Sequence, residues 1–316
     1  MKTWCPGRQS RPHFGEHGGK TRMFSGAIVA IVTPFKDGRI DEKAFRDLIN
    51  FQIEGGVSGI VPCGTTGESA TLTHEEHERV IDICVEEVGK RVPVIAGTGS
   101  NSTAEAVRLT RHAKEAGADA ALLITPYYNK PTQKGLYDHY AAVASACDIP
   151  QILYNVPGRT GVNMSVETVV ALSKIDAIVG IKEASGDLVK CSYIARDTRD
   201  DFCLLSGEDA LNLPILCVGG TGAISVTANI LPGKLSGMVK AWFSGDKETA
   251  QKIHFELLEI NNALFMETNP IPVKTALAMM GMVREEFKLP LCTMAEGNRK
   301  KLADVLRRYG CTSLRD

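Results

Sequence analysis

Eight short runs rich in apolar and β-branched residues recur at a steady interval and constrain the fold more than any other feature of the chain. They lie at residues 27–33, 58–63, 93–98, 120–125, 151–155, 177–182, 202–206 and 222–226. Amphipathic segments separate the runs, which is the pattern of repeated βα units around a parallel sheet. An open doubly wound sheet would show the same alternation. The count of eight over about 200 residues favours closure into an α/β fold of the (β/α)8 TIM-barrel type.

The amphipathic segments carry helix signals at both ends. Helices are predicted over residues 41–55, 74–89 and 103–117, and the last two end on glycine, as helices often do. Thr73 followed by Glu76 predicts a capping box at the start of the second. After about residue 245 the strand signal stops and the pattern is helical to the C-terminus. We therefore expect a flexible N-terminal extension at 1–22, a catalytic barrel at 23–245 and a C-terminal helical domain at 246–316.

Composition limits the partners of such a chain. The 316 residues are 44% hydrophobic and 23% charged, with a formal net charge of -1, as in an ordinary globular protein. No basic block is present to attract nucleic acid or an anionic membrane, so a small-molecule ligand is expected. The sequence has neither a membrane-length apolar stretch nor an apolar signal-peptide centre, which predicts a cytoplasmic protein. The nine cysteines form no CxxC pair, so neither a zinc cluster nor a disulfide framework is indicated.

The residues that follow the predicted strands are the candidates for chemistry, because catalytic side chains of such barrels gather at the C-terminal strand ends. The second strand leads into GTTGES (64–69), the fourth into TPYYNKP (125–131) and the fifth into YNVPGRTG (154–161), while the sixth ends in Lys182. All four should meet at one mouth of the barrel.

Lys182 at a strand end is ordinarily a surface residue or half of an ion pair, and Glu183 is an available partner. A partly desolvated lysine, however, loses its proton more easily and can attack a carbonyl carbon. Tyr154 could exchange protons with the resulting carbinolamine, and Thr66 could hold the phenol by a hydrogen bond. This convergence favours a catalytic lysine.

Two further segments are suited to binding carboxylates. Gly64 and Gly67 predict a tight turn whose amides, with the hydroxyls of Thr65 and Thr66, suit a carboxylate, although a simple glycine turn is the alternative. The turn matches neither a P-loop nor a dinucleotide fingerprint. Arg159 could make a bidentate contact to a second carboxylate through two N–H groups of its guanidinium, or could simply be solvated at the surface.

Two other patterns predict no ligand. The HEEH segment (74–77) separates its histidines by three residues, whereas the zincin pattern needs four, so a polar helix start is preferred to a metal site. The glycines of VGGTGAISV (218–226) have no accompanying lysine or arginine for a phosphate. They indicate close approach of the backbone to a ligand or a neighbouring strand.

Taken together, GTTGES, TPYYNKP, YNVPGRTG, GIKEASGD and the C-terminal NPIPVK closely resemble the dihydrodipicolinate synthase family, from about Met23 to the C-terminus. The resemblance implies a (β/α)8 class I aldolase that condenses pyruvate with L-aspartate 4-semialdehyde. The product, 4-hydroxy-tetrahydrodipicolinate, is the first committed intermediate of lysine and diaminopimelate biosynthesis. The resemblance also implies a homotetramer built from two tight dimers, with no metal or other cofactor. Family members begin near Met23, so the extension before it departs from the pattern.

The same resemblance implies a role for each site residue. Lys182 forms the Schiff base with pyruvate. The implied proton relay consists of Tyr154, Thr66 and Tyr128, the last reaching into the site of the adjoining subunit. The implied substrate-binding residues are Thr65 and Thr66 through their amides, Arg159 through its guanidinium, and the backbone at Gly207 and Ile224.

A feedback site for lysine at the tight dimer interface is also implied. Its residues in this sequence are Ser69, Ala70, His74, His77, Asn101, Glu105 and Tyr127. We therefore expect inhibition by lysine. The alternative is that these are polar interface residues with no effector.

Two rival functions remain open. A related pyruvate-dependent lyase, such as N-acetylneuraminate lyase or a 2-keto-3-deoxy sugar acid aldolase, would keep Lys182 and Tyr154 but bind a different second substrate. Arg159 and the adjacent tyrosines 127 and 128 favour the synthase. A non-catalytic barrel that senses pyruvate or lysine is the other alternative, and Lys182, Tyr154 and Thr66 weigh against it.

Overall fold

A computed structural model describes residues 16–17, 20–21 and 23–311 of the chain. Its central feature is one sheet of eight strands, each within three residues of a predicted run. The strands are β1 Gly26–Ala30, β2 Gly59–Val61, β3 Ile95–Gly97, β4 Ala120–Ile124, β5 Gln151–Asn155, β6 Ile178–Glu183, β7 Cys203–Ser206 and β8 Gly222–Ser225. Nearly all of their residues are buried, since helices cover the outside and side chains fill the inside.

The sheet closes on itself. Its strands are parallel and run in the order β2-β1-β8-β7-β6-β5-β4-β3. The two end strands then meet, because Ile60 pairs with Val94 in parallel and the Gly97 amide donates to the Pro62 carbonyl at 2.9 Å. The predicted (β/α)8 barrel is therefore confirmed, and the open sheet is excluded.

Twelve helices are present in the described part of the chain. They are α1 Glu42–Glu54, α2 His74–Val88, α3 Thr103–Ala116, α4 Gln133–Ala146, α5 Pro157–Thr160, α6 Val166–Leu172, α7 Leu188–Asp197, α8 Asn212–Cys217, α9 Pro232–Phe243, α10 Lys247–Ala263, α11 Ile271–Met279 and α12 Glu296–Arg308. The capping box of Thr73 and Glu76 at the start of α2 is confirmed, and Gly89 and Gly117 end α2 and α3 in the left-handed conformation. None of these helices has both the length and the apolar character that crossing a bilayer requires.

The last three helices pack onto the barrel. Leu257 of α10, Ala276 of α11 and Leu302 of α12 belong to the same buried apolar cluster as Val29 and Ile60 of the barrel strands. Burial of this shared surface fixes the C-terminal segment on the barrel. The segment before α11 is thereby held next to the turn after β2, as the hydrogen bonds described below show.

The expected domain boundaries can be compared with the elements. The boundary at 245/246 falls between the end of α9 and the start of α10. Most of the extension expected to be flexible lies outside the described residues, but Glu16–His17 pairs antiparallel with Lys20–Thr21. Close backbone approach at the glycines of VGGTGAISV is confirmed, because a Cβ on Gly222 would lie 2.3 Å from the Gly26 carbonyl oxygen.

Candidate active site

Lys182 and Tyr154 face each other inside the mouth of the barrel. They are register partners on β6 and β5, and each is only 6% exposed. The Lys182 Nζ lies 4.4 Å from the centroid of the Tyr154 ring. A buried amine beside a phenol can act as a nucleophile with a proton donor at hand. Glu183, the alternative ion-pair partner, instead lies 3.4 Å from the buried Lys190 amine.

Gly207 makes room for the lysine stem. The residue follows β7, and its amide donates to the Glu183 carbonyl at 2.8 Å. A Cβ at this position would lie 2.9 Å from Lys182 Cε and 3.0 Å from Cγ, and such contacts cannot form without a shift. The backbone at Gly207 therefore lies directly against the Lys182 side chain, and its role in binding substrate stays a prediction. Ile224 is 1% exposed on the neighbouring β8.

Two carboxylates follow Gly207. Burial raises the pKa of the Glu208 carboxyl, and the charge of Asp209 raises it further, whereas the charge of Lys182 opposes this shift. Asp209 is itself buried and accepts hydrogen bonds from the Val226 and Thr227 amides at 2.8 and 2.9 Å. It therefore holds the end of β8 against the end of β7.

The predicted turn in GTTGES is confirmed. The Gly67 amide donates to the Gly64 carbonyl at 3.0 Å, and the Glu68 amide donates to the Thr65 carbonyl at 3.1 Å. The amides of Thr65 and Thr66 find no hydrogen-bond acceptor among the residues that the structure describes. Adjacent unpaired amides at such a turn are suited to a carboxylate.

Asn269 connects the turn to Arg159. Its side-chain amide donates to the Thr66 hydroxyl at 3.0 Å, and its carbonyl accepts from the Arg159 guanidinium at 3.2 Å. The Thr66 hydroxyl keeps its own proton for another acceptor. A hydrogen bond between Thr66 and Tyr154 is not among those formed by the described residues, so the relay role of Thr66 stays a prediction.

The adjacent tyrosines after β4 have different surroundings. Tyr127 is half-buried, and burial together with the charge of Glu105 raises the pKa of its phenol. Tyr128 is 88% exposed in the single chain and has a φ of 71°, which is unusual for a residue with a large side chain. Tyr128 is therefore not buried in the barrel mouth of the single chain.

The seven residues of the expected lysine site lie on three neighbouring segments. Glu105 of α3 is central, because its carboxylate bonds the His74 ring at 2.7 Å and accepts from the Ser100 hydroxyl. The hydrogen bond from Ser100 lowers the pKa of the Glu105 carboxyl most, and the bond with His74 lowers it further, so this carboxylate is charged near pH 7. Burial lowers the pKa of His77 to about 4 and keeps its ring neutral. The backbone carbonyl of Asn101 accepts a hydrogen bond from the Asn129 side chain. Ser69 and Ala70 lie in the short helical turn Ser69–Thr71.

One cavity of about 590 Å³ is lined both by residues near the barrel mouth and by residues of the expected lysine site. Its wall includes Thr65, Arg159 and Asn269 from the barrel mouth, and six of the seven expected lysine-site residues, all but Asn101. Lys182 and Tyr154 are not part of this wall. A volume of this size is ordinary for a small-molecule site.

Several residues of the site were not identified from the sequence alone. They are Glu68, Ser100, Glu208, Asn269 and Lys274. Glu68 stands within GTTGES, while Asn269 and Lys274 begin and end NPIPVK. These three polar residues thus stand inside the two motifs, but nothing in the sequence indicates which of them contact each other.

A parallel eight-stranded barrel whose mouth holds a buried lysine amine beside a tyrosine defines an enzyme of the Schiff-base aldolase class. The chain belongs to the dihydrodipicolinate synthetase family, whose model matches residues 23–309.

Relatives and solved structures agree with that assignment. The 4-hydroxy-tetrahydrodipicolinate synthase of Thermodesulfovibrio yellowstonii is 59% identical over 91% of this chain and 99% of its own length. The chloride-inhibited dihydrodipicolinate synthase of Acinetobacter baumannii, solved with pyruvate, is 47% identical with a TM-score of 0.89, over 91% of this chain and 99% of that one. The lysine-bound dihydrodipicolinate synthase (DHDPS) of Cyanidioschyzon merolae is 39% identical with a TM-score of 0.90, over 92% of this chain and 100% of that one.

Proposed function

We propose that this chain condenses pyruvate with L-aspartate 4-semialdehyde to give 4-hydroxy-tetrahydrodipicolinate, the product for which similar synthases are named. The observation that carries the proposal is the buried Lys182 amine, 4.4 Å from the Tyr154 ring at the end of a barrel strand. Membership of the family and close identity to a named synthase support it.

The first half of the reaction activates pyruvate. The neutral Lys182 amine attacks the ketone carbon, and loss of one water from the carbinolamine leaves a protonated imine. The imine nitrogen withdraws electrons from the adjacent methyl group, which loses a proton and gives an enamine. Tyr154 is placed to exchange protons with the carbinolamine oxygen. The unpaired amides of Thr65 and Thr66 are suited to the pyruvate carboxylate.

The second half forms the carbon–carbon bond and releases the lysine. The enamine carbon adds to the aldehyde carbon, whose oxygen takes up a proton and becomes the 4-hydroxyl group. The amine of the new chain then attacks the imine carbon, closes the ring and displaces Lys182 as a free amine. Arg159 at the cavity wall is suited to the carboxylate of the semialdehyde. Neither redox chemistry nor a nucleotide is required by these steps, and orientation supplies much of the rate.

A second subunit completes the relay in this proposal. Tyr128 is 88% exposed in the single chain, which supports a role across a subunit boundary. We extend the proposal to a homotetramer of two tight dimers, in which Tyr128 reaches the adjoining mouth. A cytoplasmic location fits an enzyme of amino-acid biosynthesis.

Lysine is the proposed feedback inhibitor. The charged Glu105 carboxylate, the Asn101 carbonyl and the half-buried Tyr127 phenol offer acceptors for the two ammonium groups of lysine. The proposal fails if saturating lysine neither slows turnover nor produces heat of binding in calorimetry.

The test of the catalytic proposal is turnover with pyruvate plus aspartate semialdehyde, compared with sugar-derived aldehydes. We expect the parent to prefer the semialdehyde and Lys182→Ala to lose nearly all activity. Borohydride reduction with pyruvate should label Lys182 alone, and the equally buried Lys190 is the internal control, being 7% exposed. A label elsewhere, or none, would sink the Schiff-base mechanism, while preference for a sugar aldehyde would select the rival lyase.

A further inference from the structure

The ion pair of Glu68 and Lys274 is the most completely buried ion pair in the described part of the chain. Both side chains are 0% exposed, and the Glu68 Oε1 lies 2.5 Å from the Lys274 Nζ. The ammonium also donates to the Glu286 carbonyl at 2.6 Å and lies 4.1 Å from the centroid of the Phe35 ring. Burial lowers the pKa of Lys274, and the charge of Glu68 opposes this shift.

Glu68 is the last residue of the carboxylate-binding turn. Its backbone is left-handed, with φ 57°, and its amide is bonded to the Thr65 carbonyl within the turn. The second carboxylate oxygen accepts from the Lys288 amide at 3.1 Å. Both oxygens of Glu68 therefore bind the C-terminal segment, and the side chain ties the turn to it.

A second bond joins the same two segments. Asn269, which lies just before α11, donates a hydrogen bond to the Thr66 hydroxyl at 3.0 Å, and Lys274 lies in the first turn of that helix. Because residues of α11 are packed in the shared core, the helix start that carries Lys274 and follows Asn269 is held in a fixed position on the barrel. The turn from Thr65 to Glu68 is thus held at both its middle and its end by one helix start.

Stability alone is a weak explanation for this pair. Removing two charges from water is unfavourable, and replacement of a buried ion pair by apolar groups is often neutral or stabilising. The pair does, however, fix a unique position for the backbone that carries the Thr65 and Thr66 amides. A catalytic site needs such fixed positions, since small displacements reduce the rate strongly.

We infer that Glu68 and Lys274 are positioning residues that hold the Thr65–Thr66 turn against the pyruvate carboxylate. The inference rests on the proposed function and adds to it two residues whose buried side chains bond to protein groups that hold the turn. Their effect should therefore appear in the Michaelis constant for pyruvate and in kcat, and much less in the Michaelis constant for the semialdehyde, which Arg159 would bind from α5.

The test is the paired variant Glu68→Gln with Lys274→Met, which leaves no buried unpaired charge. We expect a cooperatively folded protein whose KM for pyruvate rises about tenfold or more and whose kcat falls. The KM for the semialdehyde should change less than about threefold. Borohydride should still trap pyruvate on Lys182 at saturating pyruvate, because β6 is not part of the turn. The matched control is Lys234→Met, which breaks the accessible pair of Lys234 and Glu256 away from the turn and should leave the pyruvate KM unchanged.

A folded paired variant with parental kcat and pyruvate KM would overturn the inference. If the paired variant does not fold, Glu68→Gln alone decides by the same two constants, because it keeps the volume and an oxygen acceptor for Lys274. If the parent itself does not turn over the semialdehyde, the proposed function fails. The pyruvate dependence of borohydride trapping, measured on parent and variant, then tests the positioning role separately.

Discussion

Replacing Gly207 by alanine tests directly whether the rate depends on the position of the Lys182 side chain. The new Cβ would lie 2.9 Å from Lys182 Cε, 3.0 Å from Cγ and 2.8 Å from the Cβ of Ala184. Carbon atoms ordinarily approach to about 3.5–4.0 Å, so the lysine stem or a strand end must move by about 0.5–1 Å. A misplacement of about 1 Å can reduce a rate by about 10²-fold, and overpacking costs about 1–3 kcal/mol of stability. We expect Gly207→Ala to fold with kcat reduced by about 10- to 100-fold.

Two further variants separate the lysine effect from the packing effect. The double variant Gly207→Ala with Ala184→Gly removes the 2.8 Å contact but keeps both contacts with Lys182. It should regain stability without regaining kcat. Gly297→Ala in α12 meets no atom within 4 Å and is the neutral control. The assays are steady-state condensation, borohydride trapping with pyruvate and thermal unfolding. A folded Gly207→Ala enzyme with kcat within about threefold of the parent would refute the reasoning.

Three other predictions concern different parts of the molecule. Burial lowers the pKa of His139 from 6.5 to about 4 in the folded protein. As the pH falls from 6.5 to about 4, the unfolded state binds this proton and the folded state does not, so the free energy of unfolding decreases. Urea titrations should show that the parent loses about 2 kcal/mol more than His139→Phe between about pH 7 and pH 5; equal losses would contradict the assigned shift. Arg159→Lys loses the planar fork and should raise the KM for the semialdehyde about tenfold, with pyruvate KM unchanged as the internal control. Mixing inactive Lys182→Ala with weakly active Tyr128→Phe should restore turnover if Tyr128 serves the adjoining subunit, and no gain on mixing would place it elsewhere.

The barrel could be predicted from the sequence because its signals are local. Each strand is a short apolar run between turn residues, and β5 at 151–155 matches the prediction at both ends. The strand ends could be read as a site because parallel topology brings them together whatever the distance along the chain. Lys182 and Tyr154 were predicted in this way to lie together, and the structure places them side by side on β6 and β5.

The contacts that arrange the site could not be predicted in the same way. Asn269 and Thr66 are 203 residues apart, and Lys274 and Glu68 are 206 apart. No periodicity or local propensity encodes a pairing between segments so distant, since it depends on where α11 packs. The left-handed backbone of Tyr128, with φ 71°, could not be predicted either, because residues with large side chains rarely adopt this conformation.

The structure also constrains how lysine binding could change the rate. The turn from Thr65 to Glu68 lines the same cavity as the expected lysine-site residues and carries the amides proposed for pyruvate, and the buried Glu68–Lys274 pair holds it in place. An effector can shift a conformational equilibrium only by as much as its affinity differs between the two states, so a turn held in one position transmits little of the effect. Tyr127, which lines the shared cavity, is followed at once by Tyr128, which is 88% exposed in the single chain. We therefore expect lysine to act through the tyrosines, lowering kcat at saturating pyruvate without raising the pyruvate KM. Initial-rate measurements at several fixed lysine concentrations decide this, since a rise of pyruvate KM at constant kcat would instead place the coupling in the turn.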